Sequence, residues 1–395
     1  MNKLRQQAVD IFMAGVKAAD PFAAVQNALA EVTEPAQIIA VGKAARLMAK
    51  AALGRFKDVP CIVVTNYENA KPLDGAQVYA AGHPVPDQNG ADAAQAVIKA
   101  LNAATGPVLA LISGGGSALL PAPAGGITLT DKARVNELLL GAGLEITAMN
   151  LIRQQLSDLK GGGFLRHASP HSVTALILSD VIGDDLAAIA SGPTVGPIGT
   201  APEAIKLLKG ARIWDDVPAT VRHHLENKGS AEPLPKARNI LVGSNTQSVA
   251  AMAKAATDLH VIGTAVEGDV ADAAAFICDN VAMGVTVWGG ETTVVLKGNG
   301  RGGRNQELAL RIAQQAERRG WKDFVCLQGG SDGRDGPTNA AGGIVDQDTL
   351  GKIDDLTALL ANNDSYAALS QAGDLLMTGA TGTNVADLGV MIRRG

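Results

Sequence analysis

Aromatic residues are scarce in this sequence, and their scarcity narrows the fold class. They make up 3% of the 395 residues, whereas 47% are hydrophobic, 18% are charged and 46 are glycine. This composition is that of a globular chain and excludes an intrinsically disordered one. Because alanine and glycine let helices and strands approach closely, we expect an α/β protein rather than a β-sandwich.

Basic residues are not in excess, and cysteines are few. The 34 Lys and Arg residues against 39 Asp and Glu give a net charge of −5, which excludes the broad basic surface that sequence-independent nucleic-acid binding requires. The three cysteines, Cys61, Cys278 and Cys326, are scattered through apolar runs, so neither a disulfide framework nor a zinc site is indicated. This use of cysteine fits a reducing compartment.

Long hydrophobic runs are also absent. No segment approaches the roughly 18 apolar residues of a membrane-spanning helix. The apolar residues near the N-terminus follow helical spacing in a run too short for a signal peptide; they are Leu4, Ala8, Ile11, Phe12 and Val16. We therefore expect a soluble, cytoplasmic protein that binds neither membrane nor nucleic acid, and the sequence leaves open whether it forms a homo-oligomer.

Short apolar runs alternate with alanine-rich helical segments along the chain. Continuous apolar runs are typical of strands buried on both faces, and the helices between them supply crossovers, so we expect a mainly parallel sheet. The alternating run Thr292–Leu296 is also compatible with one arm of a hairpin. The runs are Gln37–Val41, Cys61–Thr65, Val108–Ser113, Val173–Ser179, Asn239–Gly243, Val261–Val266, Val285–Trp288, Thr292–Leu296 and Phe324–Gln328.

A polar, helix-breaking segment separates two parts of the chain. Six of the 17 prolines lie from Pro193 to Pro235, and the stretch Asn227–Pro235 is polar. A chain of this length is expected to form two or three domains. We place the boundary here, with a larger N-terminal α/β domain over residues 1–235 and a smaller C-terminal α/β domain over residues 236–395.

Small, cationic and acidic residues follow the strands, and ligands of open α/β sheets bind at the carboxyl ends of strands. The loop Ser113-Gly114-Gly115-Gly116-Ser117 offers backbone N–H groups that can hold phosphate or carboxylate oxygens; the alternative is a tight turn. Lys43 can neutralise a transferring phosphoryl group or bind a carboxylate, or lie solvated at the surface. Its segment is not a Walker A loop, because Ala44 stands where the metal-binding hydroxyl belongs.

A second glycine-rich segment, Gly298–Glu307, leads into a helix predicted over Glu307–Arg319. The segment matches Gly-x-Gly-x-x-Gly, yet the next strand ends in Gln328 rather than in the acid that a dinucleotide fold uses for the ribose. Arg301 and Arg304 beside a helix N-terminus indicate a clamp for phosphate or carboxylate. The alternative is a flexible surface loop with solvated arginines.

Acidic side chains and one histidine complete the candidates. The acids lie just past strands and can hold a divalent ion or act as a base, although each can equally be a cap or turn residue. His83 lies in a proline-flanked loop, where it has either a substrate-side role or a turn role. The acids are Asp180, Asp184, Asp185, Glu291, Asp332 and Asp335.

Together these motifs resemble one family, the glycerate 2-kinases of the MOFRL type, whose members are often labelled hydroxypyruvate reductases. Each motif is weak alone, but their number and order are specific, and they cover most of the chain. The motifs are Val41-Gly-Lys-Ala-Ala45, Gly82-His-Pro-Val-Pro-Asp87, Ile112-Ser-Gly-Gly-Gly-Ser-Ala-Leu119, Ser179-Asp-Val-Ile-Gly-Asp184, Ile189-Ala-Ser-Gly-Pro-Thr194, Gly289-Gly-Glu-Thr292, Gly303-Arg-Asn-Gln-Glu307, Gly329-Gly-Ser-Asp-Gly333 and Thr381-Gly-Thr-Asn-Val385.

The resemblance implies a Rossmann-like N-terminal domain, a MOFRL-type C-terminal domain and an active site in the cleft between them. It further implies ATP-dependent transfer of the γ-phosphoryl group to the 2-hydroxyl of D-glycerate, with Mg²⁺ or another divalent cation. By motif, the catalytic lysine and arginine of the family fall on Lys43 and Arg304.

The remaining candidates receive roles on this hypothesis. Asp180 joins the catalytic set as a base or metal ligand, and Asp184, Glu291 and Asp332 are candidate metal ligands. The residues assigned to substrate or nucleotide binding are Ser113, Gly114, Gly115, Gly116, Ser117, His83 and Asn305.

Two other functions remain open at this point. One is an NAD(P)H-dependent hydroxypyruvate reductase, which the Gly-x-Gly-x-x-Gly match favours and the missing ribose-binding acid disfavours. The other is a non-catalytic module that senses a small hydroxy acid or a nucleotide. Such a module leaves the cations and acids at the strand ends unexplained.

Overall fold

The N-terminal helix does not belong to the unit that follows it in the chain. In this computed structural model, which describes residues 3–229, 233–235 and 237–394, one compact unit is Pro21–Val242 and the other joins Met1–Asp20 to Gly243–Gly395. The domain boundary predicted between residues 235 and 236 assigned residues 1–20 to the N-terminal domain. Lys236 beside that boundary, and residues 230–232 of the predicted linker, lie outside the described residues.

The first unit, called the N-terminal unit, alternates strands and helices, as its sequence predicts. After helix α1 (Lys3–Ala18), its described residues form strands β1 (Gln37–Val41), β2 (Cys61–Asn66), β3 (Ala76–Ala81), β4 (Val108–Ser113), β5 (Val173–Leu178) and β6 (Ala237–Gly243). The helices are α2 (Pro21–Ala28), α3 (Ala45–Arg55), α4 (Gln88–Asn102), α5 (Gly116–Leu119), α6 (Leu129–Gly141), α7 (Ile146–Gln155), α8 (Gly163–Ala168), α9 (Ala201–Gly210) and α10 (Ala219–Asn227). Short 3₁₀ turns occupy Leu29–Glu31, Tyr67–Asn69, Ile189–Ser191 and Trp214–Asp216.

The sheet of the N-terminal unit has the strand order β3-β2-β1-β4-β5-β6, which is the order of a Rossmann fold. Each pairing from β3 through β5 is parallel. Every residue of β1 and β4 is buried, because helices cover both faces of a parallel sheet and leave no polar face. The predicted parallel α/β domain is confirmed.

The second unit, called the C-terminal unit, contains α1 and a further set of strands and helices. Its described strands are β7 (Leu259–Val261), β8 (Val266–Asp269), β9 (Gly284–Thr293), β10 (Phe324–Gly330), β11 (Gly342–Asp346), β12 (Leu375–Leu376) and β13 (Asp387–Arg393). Its helices are α11 (Asn245–Lys254), α12 (Val270–Asn280), α13 (Arg304–Arg318), α14 (Leu356–Ala361) and α15 (Ser365–Ala372), with a 3₁₀ turn at Leu350–Lys352.

The sheet of the C-terminal unit is mixed rather than mainly parallel. Its order is β12-β11-β10-β13-β9-β7, with β8 also paired to β9. The pairs from β12 to β9 are antiparallel, whereas β7 and β8 run parallel to β9. An apolar run shows that a strand is buried but not which way it points, and the run that forms β13 between β9 and β10 is absent from the predicted strands.

Helix α1 covers one face of this mixed sheet. The residues predicted at helical spacing, Leu4, Ala8, Ile11, Phe12 and Val16, are all buried. They share an apolar cluster with side chains of β9, β10 and β13. The helix therefore packs on strands that follow it by more than 260 residues, which no local pattern indicates.

Two predicted strands are wrong, and both lie in the C-terminal unit. Val261–Val266 is not one strand, since β7 ends at Val261 and β8 begins at Val266. Thr292–Leu296 is neither a separate strand nor a hairpin arm, because β9 continues to Thr293 and residues 294–297 have no regular structure. The helix predicted over Glu307–Arg319 begins three residues earlier, at Arg304.

None of the helices within the described ranges combines the length and the apolar character needed to cross a membrane.

Candidate active site

The strand order of the N-terminal sheet reverses between β1 and β4, and ligands of such sheets bind at this switch point. Lys43 follows β1, and the glycine loop, defined as Ser113–Ser117, begins at the last residue of β4. Two hydrogen bonds join the segments: the N–H of Lys43 donates to the carbonyl of Gly114 (2.9 Å), and the N–H of Ala44 donates to Ser113 Oγ (3.1 Å). The structure thus brings Lys43 and the glycine loop together.

Two glycines of the loop allow three side chains to approach it. Gly115 has a φ of +84°, and a Cβ there would lie 3.1 Å from the His83 ring and 3.3 Å from Lys43 Cγ. A Cβ on Gly114 would overlap the Asp180 carboxylate. His83, Lys43 and Asp180 therefore surround the loop, and larger residues at either position would displace them.

The glycine loop presents backbone N–H groups rather than hydroxyls. In the part of the chain that the structure describes, the N–H groups of Gly115, Gly116 and Ser117 have no hydrogen-bond partner. The Ser113 hydroxyl is buried and already used by Ala44, and the hydroxyls of Ser117 and Ser191 share a hydrogen bond of 2.6 Å. A ligand at this loop would meet three free N–H donors.

The Lys43 ammonium is available to a ligand. The side chain is half-buried, and no acidic residue within the described ranges lies within ion-pair distance of it. Its positive charge does act on His83: burial, and then the nearby Lys43 charge, lower the pKa of His83 below its ordinary value of 6.5. The imidazole is therefore neutral at pH 7 and can both donate and accept a hydrogen bond.

The loop after β5 supplies the acids of this unit. Asp180 is half-buried against the glycine loop. Asp184 has a φ of +56°, and its Oδ1 is buried without a hydrogen-bond partner among the described residues. Asp185 instead accepts the N–H of Ala187 (2.9 Å) and acts as a turn residue. An unsatisfied carboxylate oxygen is costly unless a ligand or cation completes it.

Arg304 is the first residue of α13 in the C-terminal unit, and two acids hold it. Its Nε and Nη2 donate to the two carboxylate oxygens of Asp387, at 2.7 and 3.1 Å, and its Nη1 donates to Glu291 at 2.8 Å. Burial acts to lower the pKa of Arg304, but the charges of Asp387 and Glu291 outweigh it and hold the pKa above its usual range. Three of the five guanidinium N–H donors are used, which leaves two for a ligand.

A buried chain of hydrogen bonds fixes the Asp387 carboxylate. Asn305 Nδ2 donates to Asp387 Oδ1 (2.9 Å), Gln328 Nε2 donates to Asn305 Oδ1 (2.7 Å), and Trp288 Nε1 donates to Gln328 Oε1 (3.0 Å). All four residues are at most 3% exposed. Asn305, which we assigned to ligand binding, therefore has both ends of its amide engaged within the protein.

Asp335 occupies the N-terminus of α13. Its carboxylate accepts the N–H groups of Asn305 (3.1 Å) and Gln306 (2.8 Å). Burial raises the pKa of Asp335 to about 6, against the lowering effect of these N–H donors. A Cβ on Gly303 would overlap this carboxylate, so the Gly-x-Gly-x-x-Gly segment receives an internal carboxylate where a dinucleotide fold receives a pyrophosphate.

The candidate metal ligands of the C-terminal unit have other partners. Glu291 is exposed and paired with Arg304, and Asp332 Oδ1 accepts the N–H of Arg334 (2.9 Å). Across the ranges that the structure describes, no group of three or more His, Cys, Asp or Glu side chains is placed to hold a metal ion. The metal assignments to Asp184, Glu291 and Asp332 stay predictions.

Asp387 is the residue of this region that sequence reasoning missed. It lies 83 residues from Arg304 along the chain. It is the first residue of the apolar strand β13, whereas the acids selected from the sequence lie in loops that follow strands. The available signal was its position directly after the motif Thr381–Val385. An acid at the entrance to an apolar strand, behind a glycine-containing loop, is the pattern that would have found it.

Comparison with known proteins agrees with the motif analysis. A domain of unknown function, DUF4147, matches residues 7–226, and the MOFRL family matches residues 284–387. The chain is 38% identical to a glycerate 2-kinase of Pyrococcus horikoshii over 95% of this chain and 94% of that protein. It is 37% identical to a D-glycerate 2-kinase of Thermotoga maritima over 98% of each.

A solved structure gives the same result at the level of the fold. The crystal structure of a glycerate kinase from Thermotoga maritima superposes on this chain with a TM-score of 0.93 and 35% sequence identity, and the match covers all of both chains. At this coverage the similarity extends over both units. The chain belongs to the glycerate 2-kinase family, with an N-terminal DUF4147 domain and a C-terminal MOFRL domain.

Proposed function

We propose that this protein transfers the γ-phosphoryl group of ATP to the 2-hydroxyl of D-glycerate, giving 2-phosphoglycerate and ADP. The observation that carries the proposal is Lys43, a lysine without an acidic partner in the described part of the chain, beside three free N–H groups of the glycine loop. Phosphoryl transfer needs positioning and charge neutralisation more than covalent chemistry by the protein. Both are available at this switch point.

The roles follow from the chemistry of the candidate residues. The glycine loop binds phosphate oxygens of ATP or the glycerate carboxylate, and Lys43 stabilises the negative charge of the transferring group. Arg304 is also assigned a catalytic role, in which its two remaining N–H donors bind an anionic group of a substrate. His83, neutral at pH 7, hydrogen-bonds the substrate. Asp180 accepts the proton of the 2-hydroxyl as the oxygen–phosphorus bond to glycerate forms and the bond to ADP breaks.

Asp184 fits a divalent cation, because its buried Oδ1 lacks a partner in the described residues. Mg²⁺ usually takes one or two carboxylates together with substrate phosphates, so a ready-made cluster of acids is not required. Bound Mg²⁺ would supply charge neutralisation at the phosphate oxygens. Asp184 is our first candidate to hold it, and Glu291 and Asp332 follow.

The reductase alternative is disfavoured by the position of Asp335. The Gly-x-Gly-x-x-Gly segment that favoured a dinucleotide leads into the N-terminus of α13, and two N–H groups there are taken by this buried carboxylate. A second negative group there would meet like charge. The strand β10 also continues into Gly329 and Gly330, without an acid for the ribose.

The proposal is tested by ³¹P NMR of the protein incubated with ATP, Mg²⁺ and D-glycerate. We expect a 2-phosphoglycerate resonance and an equal amount of ADP. A 3-phosphoglycerate resonance would keep the reaction class and overturn the choice of hydroxyl. If no phosphorylated product forms while NADH is consumed with hydroxypyruvate, the kinase proposal is wrong.

Replacing either cation tests the assigned roles. For Lys43→Ala and for Arg304→Ala we expect kcat/KM to fall by about 10²–10³-fold, the usual cost of one preorganised donor to a developing negative charge. Lys57→Ala and Arg318→Ala, which remove exposed cations, are matched controls and should keep wild-type kinetics. Near-normal kcat/KM in Lys43→Ala or Arg304→Ala would remove that residue from the mechanism.

A further inference from the structure

Lys160, between α7 and α8, is buried in a way that lysine rarely tolerates. It is 6% exposed, and no other Lys or Arg of the described residues is as deeply buried. Its Nζ donates to the carbonyl of Ser117 at 2.9 Å. No acid in the same part of the chain lies within ion-pair distance of it.

The surroundings of this ammonium are apolar. Lys160 borders a cavity of about 20 Å³ and is the only charged side chain among the described residues that line it. Apolar side chains such as Ile39, Ile112 and Phe164 form the rest of the wall, together with the backbone of Gly116. Burying a charged ammonium in apolar surroundings costs free energy unless a group of opposite charge compensates it.

The charged groups nearest to Lys160 do not compensate it. Arg153 on α7 and Lys132 on α6 are positive neighbours, and Lys132 donates to the carbonyl of Pro121 rather than to an acid. Asp158, two residues before Lys160, acts on Lys132. Burial, and then the charge of Arg153, lower the pKa of Lys160 to about 7.

Backbone hydrogen bonds tie the Lys160 segment to the turn at residues 189–192, which contacts the glycine loop. The N–H of Gly161 donates to the carbonyl of Ser191 (3.1 Å), and that of Gly162 donates to the carbonyl of Gly192 (2.9 Å). Ser191 in turn shares a hydrogen bond with the hydroxyl of Ser117. The ammonium, the Ser117 carbonyl and the Ser117 hydroxyl therefore form one connected support behind the loop.

We propose that Lys160 is a positioning residue of the glycine loop: its ammonium holds the Ser117 carbonyl, and its uncompensated charge strengthens the binding of a phosphate or carboxylate anion by the loop. The inference rests on the proposed function to the extent that the loop binds such an anion. Lys160 has no acidic partner within the described residues, and an anion bound at the loop would supply the missing negative charge. The attraction between the two charges is stronger in apolar surroundings than in water.

Anion affinity then depends on pH. The anion binds more tightly when Lys160 is protonated. Above the pKa of Lys160 in the unliganded protein, anion binding must therefore be accompanied by uptake of a proton by Lys160, which weakens the observed affinity. Affinity is therefore full below pH 7 and decreases above it by up to about tenfold per pH unit. His83, the other titrating group beside the loop, has a pKa below 6.5 and is already deprotonated in that range.

The test is calorimetric titration of the full-length protein with ATP and Mg²⁺ at pH 6.5, 7.5 and 8.5, with D-glycerate titrated in parallel. For wild type we expect the Kd of at least one of them to rise about tenfold or more between pH 6.5 and 8.5. Lys160→Arg keeps its charge at every pH, so its Kd should stay level. Lys160→Met should bind weakly throughout.

Lys132→Met is the matched control. It deletes a neighbouring lysine that also donates to a backbone carbonyl, but to Pro121 outside the glycine loop, and its Kd should still rise with pH. Because Lys160→Arg retains the charge, it keeps the test decisive even where Lys160→Met does not fold. ATP itself titrates near neutral pH. Because this effect is common to wild type and Lys160→Arg, the difference between their Kd values isolates the contribution of Lys160.

Three results would overturn the proposal: a pH dependence in Lys160→Arg equal to that of wild type, wild-type affinity in Lys160→Met, or binding of neither ATP nor D-glycerate by wild type. The outcome is separable from that of the kinase proposal, because binding is measured directly. A protein that shows the expected Kd pattern but forms no 2-phosphoglycerate would refute the kinase and retain the role of Lys160.

Discussion

Arg5 fastens α1 to the C-terminal unit through two acids, and its removal should destabilise that unit. Its Nη2 lies 2.6 Å from Asp346 Oδ2, and its Nη1 lies 2.7 Å from Asp374 Oδ1. The side chains of Arg5 and Asp346 are each 13% exposed, and that of Asp374 is 3% exposed. Asp346 ends β11 and Asp374 precedes β12, so this one guanidinium joins the helix to two neighbouring strands.

The variant Arg5→Met keeps the apolar stem and deletes the charge. It leaves two nearly buried carboxylates without their cation, a change that typically costs about 3–5 kcal/mol. The Thr349 hydroxyl still donates to Asp374 Oδ2 (2.5 Å), and the residual exposure lets water reach the other acid. We therefore expect the free energy of unfolding of the C-terminal unit to fall by about 2–4 kcal/mol at pH 7.

The assay is urea unfolding followed by tryptophan fluorescence, with Trp214→Phe as the background. This background leaves Trp288 and Trp321, which both belong to the C-terminal unit, so the signal does not mix two transitions. Arg318→Met is the control, because Arg318 is exposed and lies in the same unit, and the loss should be under about 0.5 kcal/mol. If Arg5→Met loses no more stability than this control, the ion pairs do not hold α1 in place.

Two further predictions concern the acids around α13. Asp387→Asn removes one acceptor of the bidentate pair with Arg304, and in a coupled kinase assay we expect kcat to fall about 10²-fold with far-UV circular dichroism unchanged; wild-type kcat would show that Arg304 needs no anchor. The pKa of Asp335 lies at about 6, above its ordinary 3.8, so the folded protein keeps a proton that the unfolded chain releases. As the pH rises from 4 to 6, the free energy of unfolding of the wild type should therefore decrease relative to that of Asp335→Asn, by up to about 3 kcal/mol. A urea midpoint of the wild type that rises relative to the variant over this range would contradict the assignment.

The N-terminal fold could be predicted from sequence because its signals are local. The runs of β1 and β4 are continuous and apolar, and they match the observed strands residue for residue. Once these strands are parallel and central, their carboxyl ends must meet at one edge of the sheet, which places Lys43 beside the glycine loop. In contrast, β3 is only partly buried and alternates weakly, so it gives no comparable apolar run.

The supports of the candidate site could not be predicted, because they join distant parts of the chain. Arg304 is recognisable in its motif, but its anchor Asp387 belongs to a strand that inserts between two others. Lys160 looks like any solvated lysine until the structure shows it buried against Ser117. Local patterns report which face of an element is apolar, whereas the partner of a charged group depends on the complete topology.

The C-terminal unit is built from two separate segments of the chain, residues 1–20 and 243–395, and this has a consequence for its folding during synthesis. Its helix α1 is synthesised before the N-terminal unit, while the strands that cover it follow residue 243. Residues 21–242 can fold as they emerge from the ribosome, but the apolar side chains of Ile11 and Phe12 must wait, uncovered, for β10 and β13. A chain stalled once residue 242 has left the exit tunnel should therefore carry a folded N-terminal unit and an uncovered apolar face on α1, to which chaperones can bind.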